Sequence, residues 1–376
     1  MPVLSVSVSG YRSIQHLDLP IAPLTVLVGR NAVGKTNIYR SLEVLKSAAE
    51  GTITRRIAEE GGSASVLWAG PQRYREPMRL TFKVEIDALE YRLEIGLPML
   101  SEIALCLEQG VKEEEIHLRS GGKSTVVMSR QGPNLWLLDA DGQRREYSNV
   151  LLPSETAVAS LRDADRYPAL EYIRRELLGW RFYHGFRTEP GSPLRNSCLA
   201  VATPTLAPDG SDLAAVFATL YHLRGDAKAV EEAIEEAMPG ARLLVEVDKV
   251  RATFSLKFAD QPRAFSPHEL SDGTLRYLCL VGALCSYRLP EFIALNEPET
   301  SLHPDLIPAL AGLIARASQR TRVWVVTHSK PLAAEITRLT GVKPGTVTKR
   351  RGATEVEMPA ANVRPPPVIQ DERVPA

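Results

Sequence analysis

Eight residues near the amino terminus have the types and spacing of a phosphate-binding loop. The stretch GRNAVGKT fits the pattern G-x-x-x-x-G-K-[ST], in which glycines let backbone N–H groups surround phosphate oxygens. We expect Lys35 to reach the outer phosphates and Thr36 to coordinate Mg²⁺. A nucleoside triphosphate site is therefore predicted here. Its expected binding residues are Gly29, Arg30, Asn31, Ala32, Val33, Gly34, Lys35, Thr36 and Asn37.

The loop is flanked by the patterns of a strand and a helix. Thr25 to Val28 is a short β-branched, apolar run, and apolar residues recur after the loop at Ile38, Leu42 and Leu45, which is helical spacing. A helix that begins at the loop adds the positive end of its dipole to the site. This context favours a phosphate site over the alternative, a chance glycine-rich turn between a strand and a helix.

A second candidate anion site lies in the stretch LSDGT. Here Ser271, Asp272 and Gly273 open a predicted helix, and the free N–H groups of a helix start suit a γ-phosphate. Taken alone, the stretch is equally typical of an ordinary helix cap made by the serine. The sequence leaves both interpretations open.

Two apolar strands end at polar residues that could complete the site. EFIALN ends at Asn296 and is followed by Glu297, and RVWVVT is followed by His328. Side chains at the carboxyl ends of parallel strands point into the ligand crevice, so we expect Glu297 to face the nucleotide. His328 could contact the γ-phosphate or the attacking water, although a capping or core histidine is an equal alternative.

In this order, the stretches resemble the motifs of ABC-type P-loop ATPases of the SMC, RecF and OLD-nuclease branch. The resemblance is closest to the compact stand-alone ATPases of the branch (an AAA domain with an SDGT-type signature). GRNAVGKT resembles Walker A, LSDGT the signature, FIALNE Walker B, PETSLHP the D-loop and VVTHS the switch histidine, within residues 1–50 and 265–335. Gln72 is a candidate Q-loop residue, with a surface-loop glutamine as an equal alternative. Arg12 lies where such proteins place residues near the nucleotide base.

The resemblance implies an α/β fold of the ABC/RecF-like P-loop type, with a mixed sheet, an antiparallel β subdomain and a helical subdomain. It also implies a homodimer that sandwiches ATP and Mg²⁺, the P-loop of one protomer facing the signature of the other. Glu297 would be the general base or orient the water, and His328 would sense or stabilise the transferred phosphoryl group. The implied catalytic residues are Lys35, Glu297 and His328. The partner's site would be completed by Ser271, Asp272 and Gly273.

The implied metal site departs from the family pattern at one position. The metal contacts would be Thr36, Asn296 and Gln72, yet the residue before the glutamate is usually Asp in this branch and is Asn296 here. An amide brings no negative charge, so we expect a lower affinity for Mg²⁺. The expectation is an active but slow ATPase, and the alternative is an ATP-binding clamp that scarcely turns over.

Around these motifs, the chain is expected to divide into a nucleotide-binding core and an inserted lobe. The two halves of the core are 1–50 and 265–350, and the inserted lobe, 51–264, is β-rich and then helical. Within it, residues 79–150 read as short alternating runs separated by turns, which predicts antiparallel strands. Residues 351–376 are a C-terminal tail whose proline-rich end is expected to be disordered.

The composition is that of an ordinary globular protein. The chain has 376 residues, with 45 Lys plus Arg against 45 Asp plus Glu, so no global field draws it to nucleic acid or to a membrane. The run Glu113–Glu115 is expected to be a solvated turn. Four cysteines without a C-x-x-C pair are expected to be reduced thiols. No secretory leader or membrane-spanning run is visible, so the expected location is the cytoplasm.

Three function classes agree with this pattern. The first is a dimerising ATPase coupled to DNA-related work, in repair, chromosome maintenance or anti-phage defence. The second is an ATP-gated regulatory or toxin-type module that acts on a protein partner with little turnover. The third and less favoured is a transporter's nucleotide-binding subunit, because the signature ends in Thr and the D-loop reads SLHP. Only 48 residues follow His328, so no nuclease activity is expected in this chain, and a nuclease partner is a candidate.

Two basic-aromatic stretches are candidate contacts to DNA. Residues 73–75 read RYR and residues 180–187 read WRFYHGFR. Arginine–phosphate contacts and base stacking would suit DNA, but a strand whose aromatics fill a core is the favoured alternative for the second stretch. The expected partners are a second copy of the chain, with DNA and an effector or nuclease protein as further candidates, and no membrane.

Overall fold

The computed structural model describes residues 3–70, 79–96, 110–225 and 227–359, so the end of the predicted tail lies outside the described residues. The strands are β1 (Val3–Tyr11), β2 (Ile14–Pro20), β3 (Leu24–Val28), β4 (Arg79–Ile86), β5 (Leu89–Gly96), β6 (Gly110–Ser120), β7 (Lys123–Gln131), β8 (Asn134–Leu138), β9 (Arg144–Ser148), β10 (Arg181–Tyr183), β11 (Cys198–Leu199), β12 (Arg242–Asp248), β13 (Arg251–Lys257), β14 (Ala264–Phe265), β15 (Phe292–Asn296), β16 (Arg322–Thr327), β17 (Gly345–Arg350) and β18 (Ala353–Glu357). The α-helices are α1 (Lys35–Glu50), α2 (Ile53–Glu59), α3 (Ser63–Val66), α4 (Ala157–Ser160), α5 (Pro168–Gly179), α6 (Leu213–Ala218), α7 (Lys228–Ala237), α8 (Asp272–Cys285), α9 (Ile307–Ala317) and α10 (Lys330–Thr340).

A six-stranded sheet carries the predicted motifs, in the order β10-β15-β16-β3-β17-β18. Its neighbours run parallel except for the pair β17 and β18. The middle strands are almost wholly apolar because both faces of the sheet are covered. Along β16, Val325 belongs to the core formed with helices α8, α9 and α10, whereas Trp324 and Val326 belong to the core on the opposite face. Because parallel strands end at one edge, the loops that follow β3, β15 and β16 meet there.

An eight-stranded antiparallel sheet packs on the other side of helix α1, in the order β2-β1-β4-β5-β6-β7-β8-β9. In β4, the side chains of Leu80, Phe82, Val84 and Ile86 are fully buried, and the residues between them are half-buried. This alternation covers one face of the sheet with the core shared by α1 and α5. A smaller sheet of β11, β13, β12 and β14 packs against α6 and α7. The fold is therefore the predicted α/β fold with a mixed sheet and an antiparallel β subdomain.

Strand pairing crosses the boundaries that the sequence predicts for the domains. Strand β1 pairs with β4, β10 pairs with β15, and β18 pairs with β17. The first two pairings join the predicted core to the predicted insertion. The third places residues of the predicted tail in the six-stranded sheet. The division itself stays a prediction.

The acidic run in β6 is not the solvated turn that the sequence predicts. Glu114 is fully buried, and its carboxylate accepts hydrogen bonds from the N–H groups of Ala157 (2.6 Å) and Val158 (3.0 Å) and from the hydroxyl of Tyr91 (3.0 Å). Burial raises the pKa of Glu114, while the three donors favour the ionised form. The carboxylate therefore fixes the start of α4 to the antiparallel sheet.

Two further observations concern the helices and the thiols. Within the described ranges, none of the helices combines the length and the apolar character that crossing a membrane requires. Cys198, Cys279 and Cys285 form no disulfide among the described residues, and Cys106 lies outside them.

Candidate functional site

The P-loop runs from the end of β3 to the start of α1, as predicted. Gly34 is the N-cap of α1 and has a φ of 103°, a left-handed conformation that disfavours residues with a Cβ. A Cβ at this position would overlap Thr354 Oγ1 and lie 2.7 Å from Ser13 Oγ. Both the backbone and the space around it therefore require glycine.

Gly34→Val is expected to abolish ATP binding, because the added methyl groups displace Thr354 and open the loop. Gly122→Val is the matched control, since Gly122 also has a positive φ (76°) but has no atom within 4 Å of an added Cβ. The left-handed conformation costs each variant about 1–2 kcal/mol of stability. Titration with a fluorescent ATP analogue measures binding, and equal affinities of the two variants would contradict the steric argument.

Lys35 lies in the loop with its charge directed at backbone oxygens. Its Nζ donates to the carbonyl oxygens of Gly29 and Arg30, both at 2.8 Å, and the residue is 5% exposed. Burial lowers the pKa of Lys35, and the carboxylates of Glu297 and Glu299 partly offset this effect. The ammonium is thus held beside the site and can exchange two carbonyl oxygens for phosphate oxygens.

The loop faces a cleft of about 350 Å³. The cleft is lined by Ser13, Asn31, Ala32, Gly34, Lys35, Thr36, Asn37, Glu297 and Lys349. It therefore brings most of the predicted P-loop residues together with the predicted catalytic glutamate. Gly29, Arg30 and Val33, which are also predicted site residues, do not line the cleft.

The C-terminal hairpin β17–β18 supports the loop, and the sequence does not predict it. Thr354 Oγ1 lies 2.9 Å from the carbonyl oxygen of Val33 and 2.7 Å from Ser13 Oγ, which accepts from Asn37 Nδ2 at 2.7 Å. Lys349 pairs with Thr354 across the hairpin, and its side chain lines the cleft. The signal that could have revealed the hairpin is Gly352 in a two-residue turn between alternating runs.

The ends of β15 and β16 place the other predicted residues side by side. Glu297 has a φ of 48°, and its N–H donates to the carbonyl oxygen of Val326 at 2.7 Å. His328 Nδ1 lies 3.4 Å from Glu297 Oε1. Asn296 Oδ1 is buried and has no hydrogen-bond partner among the described residues. The catalytic candidates thus form one group at the edge of the sheet.

Glu299 is a second carboxylate at this edge, and it is not among the site residues predicted from the sequence. It is 8% exposed, and its Oε1 accepts from the Thr327 hydroxyl (2.5 Å) and from the N–H groups of His328 (3.3 Å) and Ser329 (3.2 Å). Oε1 also lies 3.3 Å from His328 Nδ1. The second glutamate of the EPE stretch was the available signal. Glu299 fixes the loop that carries His328.

The signature residues begin α8 outside the cleft. Ser271 caps the helix, because its Oγ accepts from the N–H of Thr274 at 3.2 Å, as in the ordinary-cap interpretation. Gly273 approaches the D-loop so closely that a Cβ would lie 2.7 Å from the carbonyl oxygen of Ser301. Ser271 and Asp272 are exposed, and neither they nor Gly273 line the cleft of their own chain. The cap and the anion site are compatible roles for the same serine.

Arg195 holds the signature loop from the inserted lobe, and no sequence motif predicts it. This guanidinium is 7% exposed and donates to the carbonyl oxygens of Pro267 (2.7 Å) and Leu270 (3.0 Å). Its Nη2 lies 2.7 Å from Asp272 Oδ1. The planar guanidinium therefore connects both sides of the helix start.

Two weaker assignments do not join the cleft. Arg12 does not line it, because its guanidinium is paired with Glu60 at 2.7 Å; its neighbour Ser13 lines the cleft instead. Gln72 lies outside the described residues. Its proposed Q-loop and metal roles therefore stay predictions.

The aromatic stretch at residues 180–187 belongs to the core. Trp180, Phe182, Tyr183 and Phe186 are between 0% and 7% exposed, so their rings cannot stack on bases. The core alternative is confirmed for this stretch. The other candidate DNA contact, at residues 73–75, lies outside the described residues.

Comparison with known proteins gives a family and a fold. The family model described as “AAA domain, putative AbiEii toxin, Type IV TA system” matches residues 24–335. The phosphate import ATP-binding protein PstB of Mycobacterium intracellulare is 39% identical over 69 residues, 18% of this chain, and the match spans only 24% of that protein's length. A crystal structure of an SMC head bound to the C-winged helix domain of ScpA is 14% identical, with a TM-score of 0.51 over 95% of this chain and 97% of that chain. At this identity the structural similarity shows the fold alone.

Proposed function

Because the chain belongs to the family described as “AAA domain, putative AbiEii toxin, Type IV TA system”, we propose that it binds ATP, hydrolyses it slowly and dimerises around it. Its family and its fold both support an SMC- and RecF-like ABC-type P-loop ATPase. The observation that carries the proposal is that Lys35, Thr36 and Glu297 line the same cleft. If the P-loop only stabilised the fold, an open cleft between the loop and the Glu297 carboxylate would not be required.

The residues of the cleft fit ATP with Mg²⁺. Gly34 and Thr36 line the cleft, and the buried Asn296 Oδ1 is an acceptor without a partner among the described residues. We assign metal binding to Thr36 and Asn296. When bound, Mg²⁺ would neutralise charge on the phosphate oxygens.

The other residues would position and activate the attacking water. The Glu297 carboxylate would accept a proton from this water or orient it. His328, 3.4 Å from Glu297, would donate a hydrogen bond to the transferred phosphoryl group. Lys35 would move its hydrogen bonds from Gly29 and Arg30 to the outer phosphates.

The signature would act on the nucleotide of a second protomer. Ser271 and Asp272 are exposed and lie outside the cleft of their own chain, so a phosphate contact would need a partner's cleft. The N–H groups at the start of α8 would then bind γ-phosphate oxygens only while the triphosphate is intact. Hydrolysis would remove this contact and allow the dimer to open.

Light scattering of Glu297→Gln tests this composite site. With ATP and Mg²⁺ the variant is expected to double in mass, and with ADP it should stay monomeric. Glu297→Gln/Ser271→Arg is the control, because the arginine would block the facing site while leaving the P-loop intact. A Glu297→Gln protein that binds ATP and never dimerises would refute the composite site.

Arg195→Ala is expected to weaken ATP-dependent dimerisation at least about tenfold, a loss of roughly 1.4 kcal/mol, because the signature loop loses its fixed shape. ATP affinity of the monomer should stay unchanged. The matched control is Arg263→Ala, which removes an exposed ion pair to Glu269 (2.7 Å) in the same segment and should have little effect. Sedimentation at several protein concentrations measures the dimer, and equal behaviour of both variants would contradict the role of Arg195.

The work coupled to ATP has two candidates. DNA-related work follows from the resemblance to the SMC and RecF branch, and a toxin-type action on a protein partner is favoured by the words of the family description. The burial of the aromatic rings at residues 180–187 argues against base stacking by this stretch. We place the protein in the cytoplasm in either case.

A gel shift with duplex DNA distinguishes these candidates. Binding that requires ATP and weakens steeply with salt would favour DNA-related work, because phosphate contacts release counterions. Absence of a shift at low salt, with ATP-dependent dimerisation intact, would favour the protein partner.

A further inference from the structure

The proposed metal site has a neutral residue, Asn296, at the position where this branch usually has an aspartate. Asn296 ends β15, and its amide is neutral. Its Oδ1 is buried without a partner among the described residues, so it can accept a hydrogen bond but cannot offset the charge of a divalent cation. If Mg²⁺ binds here with ATP, another group has to supply negative charge.

Glu299 has a carboxylate oxygen free for this purpose. All the hydrogen bonds that it accepts from Thr327, His328 and Ser329 go to Oε1. Oε2 is buried and has no partner among the described residues. A carboxylate that only fixed the loop would need Oε1 alone, and burying the other oxygen without a partner costs free energy.

The surroundings of Glu299 place its carboxylate next to residues that line the cleft. Its Oε1 lies 3.3 Å from His328 Nδ1, which lies 3.4 Å from Glu297, and Glu297 lines the cleft. Glu299 is also close enough to Lys35 for the two charges to interact. Glu299 therefore belongs to one charged group with Lys35, Glu297 and His328, three residues after the position where the family carries its aspartate.

We propose that Glu299 supplies the negative charge that Asn296 lacks, by accepting hydrogen bonds through Oε2 from the water shell of the ATP-bound divalent cation. This inference rests on the proposed function, because it assigns a role within the same ATP site. The carboxylate that balances the charge of the metal would then lie in the D-loop, whereas in the family it lies at the end of β15. Oε2 of Glu299 would contact the water shell of the metal, while Oε1 holds the loop that carries His328.

A charge-exchange experiment tests the proposal. The measured quantity is the ratio of the Kd values for a fluorescent ATP analogue with EDTA and with Mg²⁺, which needs no turnover. Glu299→Gln is expected to reduce this ratio about tenfold, since it keeps an acceptor at Oε1 and removes the charge. Asn296→Asp/Glu299→Gln is expected to restore it, because the charge returns to the family position.

Thr327→Val serves as the matched control. It removes the 2.5 Å hydrogen bond to Oε1 but leaves the charge of Glu299, so the Mg²⁺ effect should stay at the wild-type ratio. Thermal melting of each variant establishes that it is folded. The proposal would be overturned if folded Glu299→Gln showed the wild-type ratio of Kd values, or if the double variant did not restore that ratio.

The outcomes also separate this inference from the proposed function. A wild-type protein that binds no ATP would overturn both. A wild-type protein that binds ATP with Mg²⁺ and dimerises, beside a Glu299→Gln variant with an unchanged Mg²⁺ effect, would overturn the role of Glu299 alone.

Discussion

Glu297→Gln is expected to lower steady-state ATP hydrolysis about 100- to 10,000-fold, the range typical of a lost general base. The amide has nearly the shape of the carboxylate but cannot accept the proton of the attacking water. The affinity for ATP should stay within about threefold of the wild-type affinity, since Glu297 is not part of the P-loop. Phosphate release and nucleotide titration on the same preparation measure both quantities.

Asn296→Asp provides the comparison for this prediction. It adds a carboxylate at the metal end and should raise turnover or Mg²⁺ affinity. If wild type and Glu297→Gln were equally inert while ATP still bound, the protein would be an ATP-binding clamp and not an enzyme.

Lys35→Ala is expected to lower ATP affinity about 10- to 150-fold, because a hydrogen bond to a charged group contributes roughly 1.5–3 kcal/mol. Among the described residues, the buried ammonium donates to the carbonyl oxygens of Gly29 and Arg30 of its own loop, so its removal should leave the fold intact. Calorimetric titration with ATP measures the loss. Lys123→Ala is the matched control, since this lysine is exposed at the start of β7. Equal ATP affinities for the two variants would show that the nucleotide does not occupy this loop.

The parts of the site that could be predicted from the sequence are those encoded in short segments. The P-loop, the strand that ends at Asn296 and the strand that precedes His328 each combine an apolar run with polar residues at its end. In a parallel sheet these ends converge, so the order of the segments was enough to predict that Lys35 and Glu297 meet.

The parts that could not be predicted depend on contacts between distant segments. Thr354 reaches Val33 over 321 residues of sequence, and Arg195 reaches Leu270 over 75. No periodicity marks such side chains, because their surroundings are set by tertiary packing. The same limit explains the error at Glu114, whose three hydrogen-bond donors lie 23 residues before it and 43 and 44 residues after it.

The hairpin β17–β18 has a practical consequence for any division of this chain into fragments. A fragment that stopped after α10 would contain all five recognised motifs. It would nevertheless lack Thr354, which holds the carbonyl of Val33, and Lys349, which lines the cleft. The P-loop of such a fragment would lack the contacts that the hairpin makes to it. Motif content is therefore a poor guide to the smallest piece of this chain that can still hold a nucleotide.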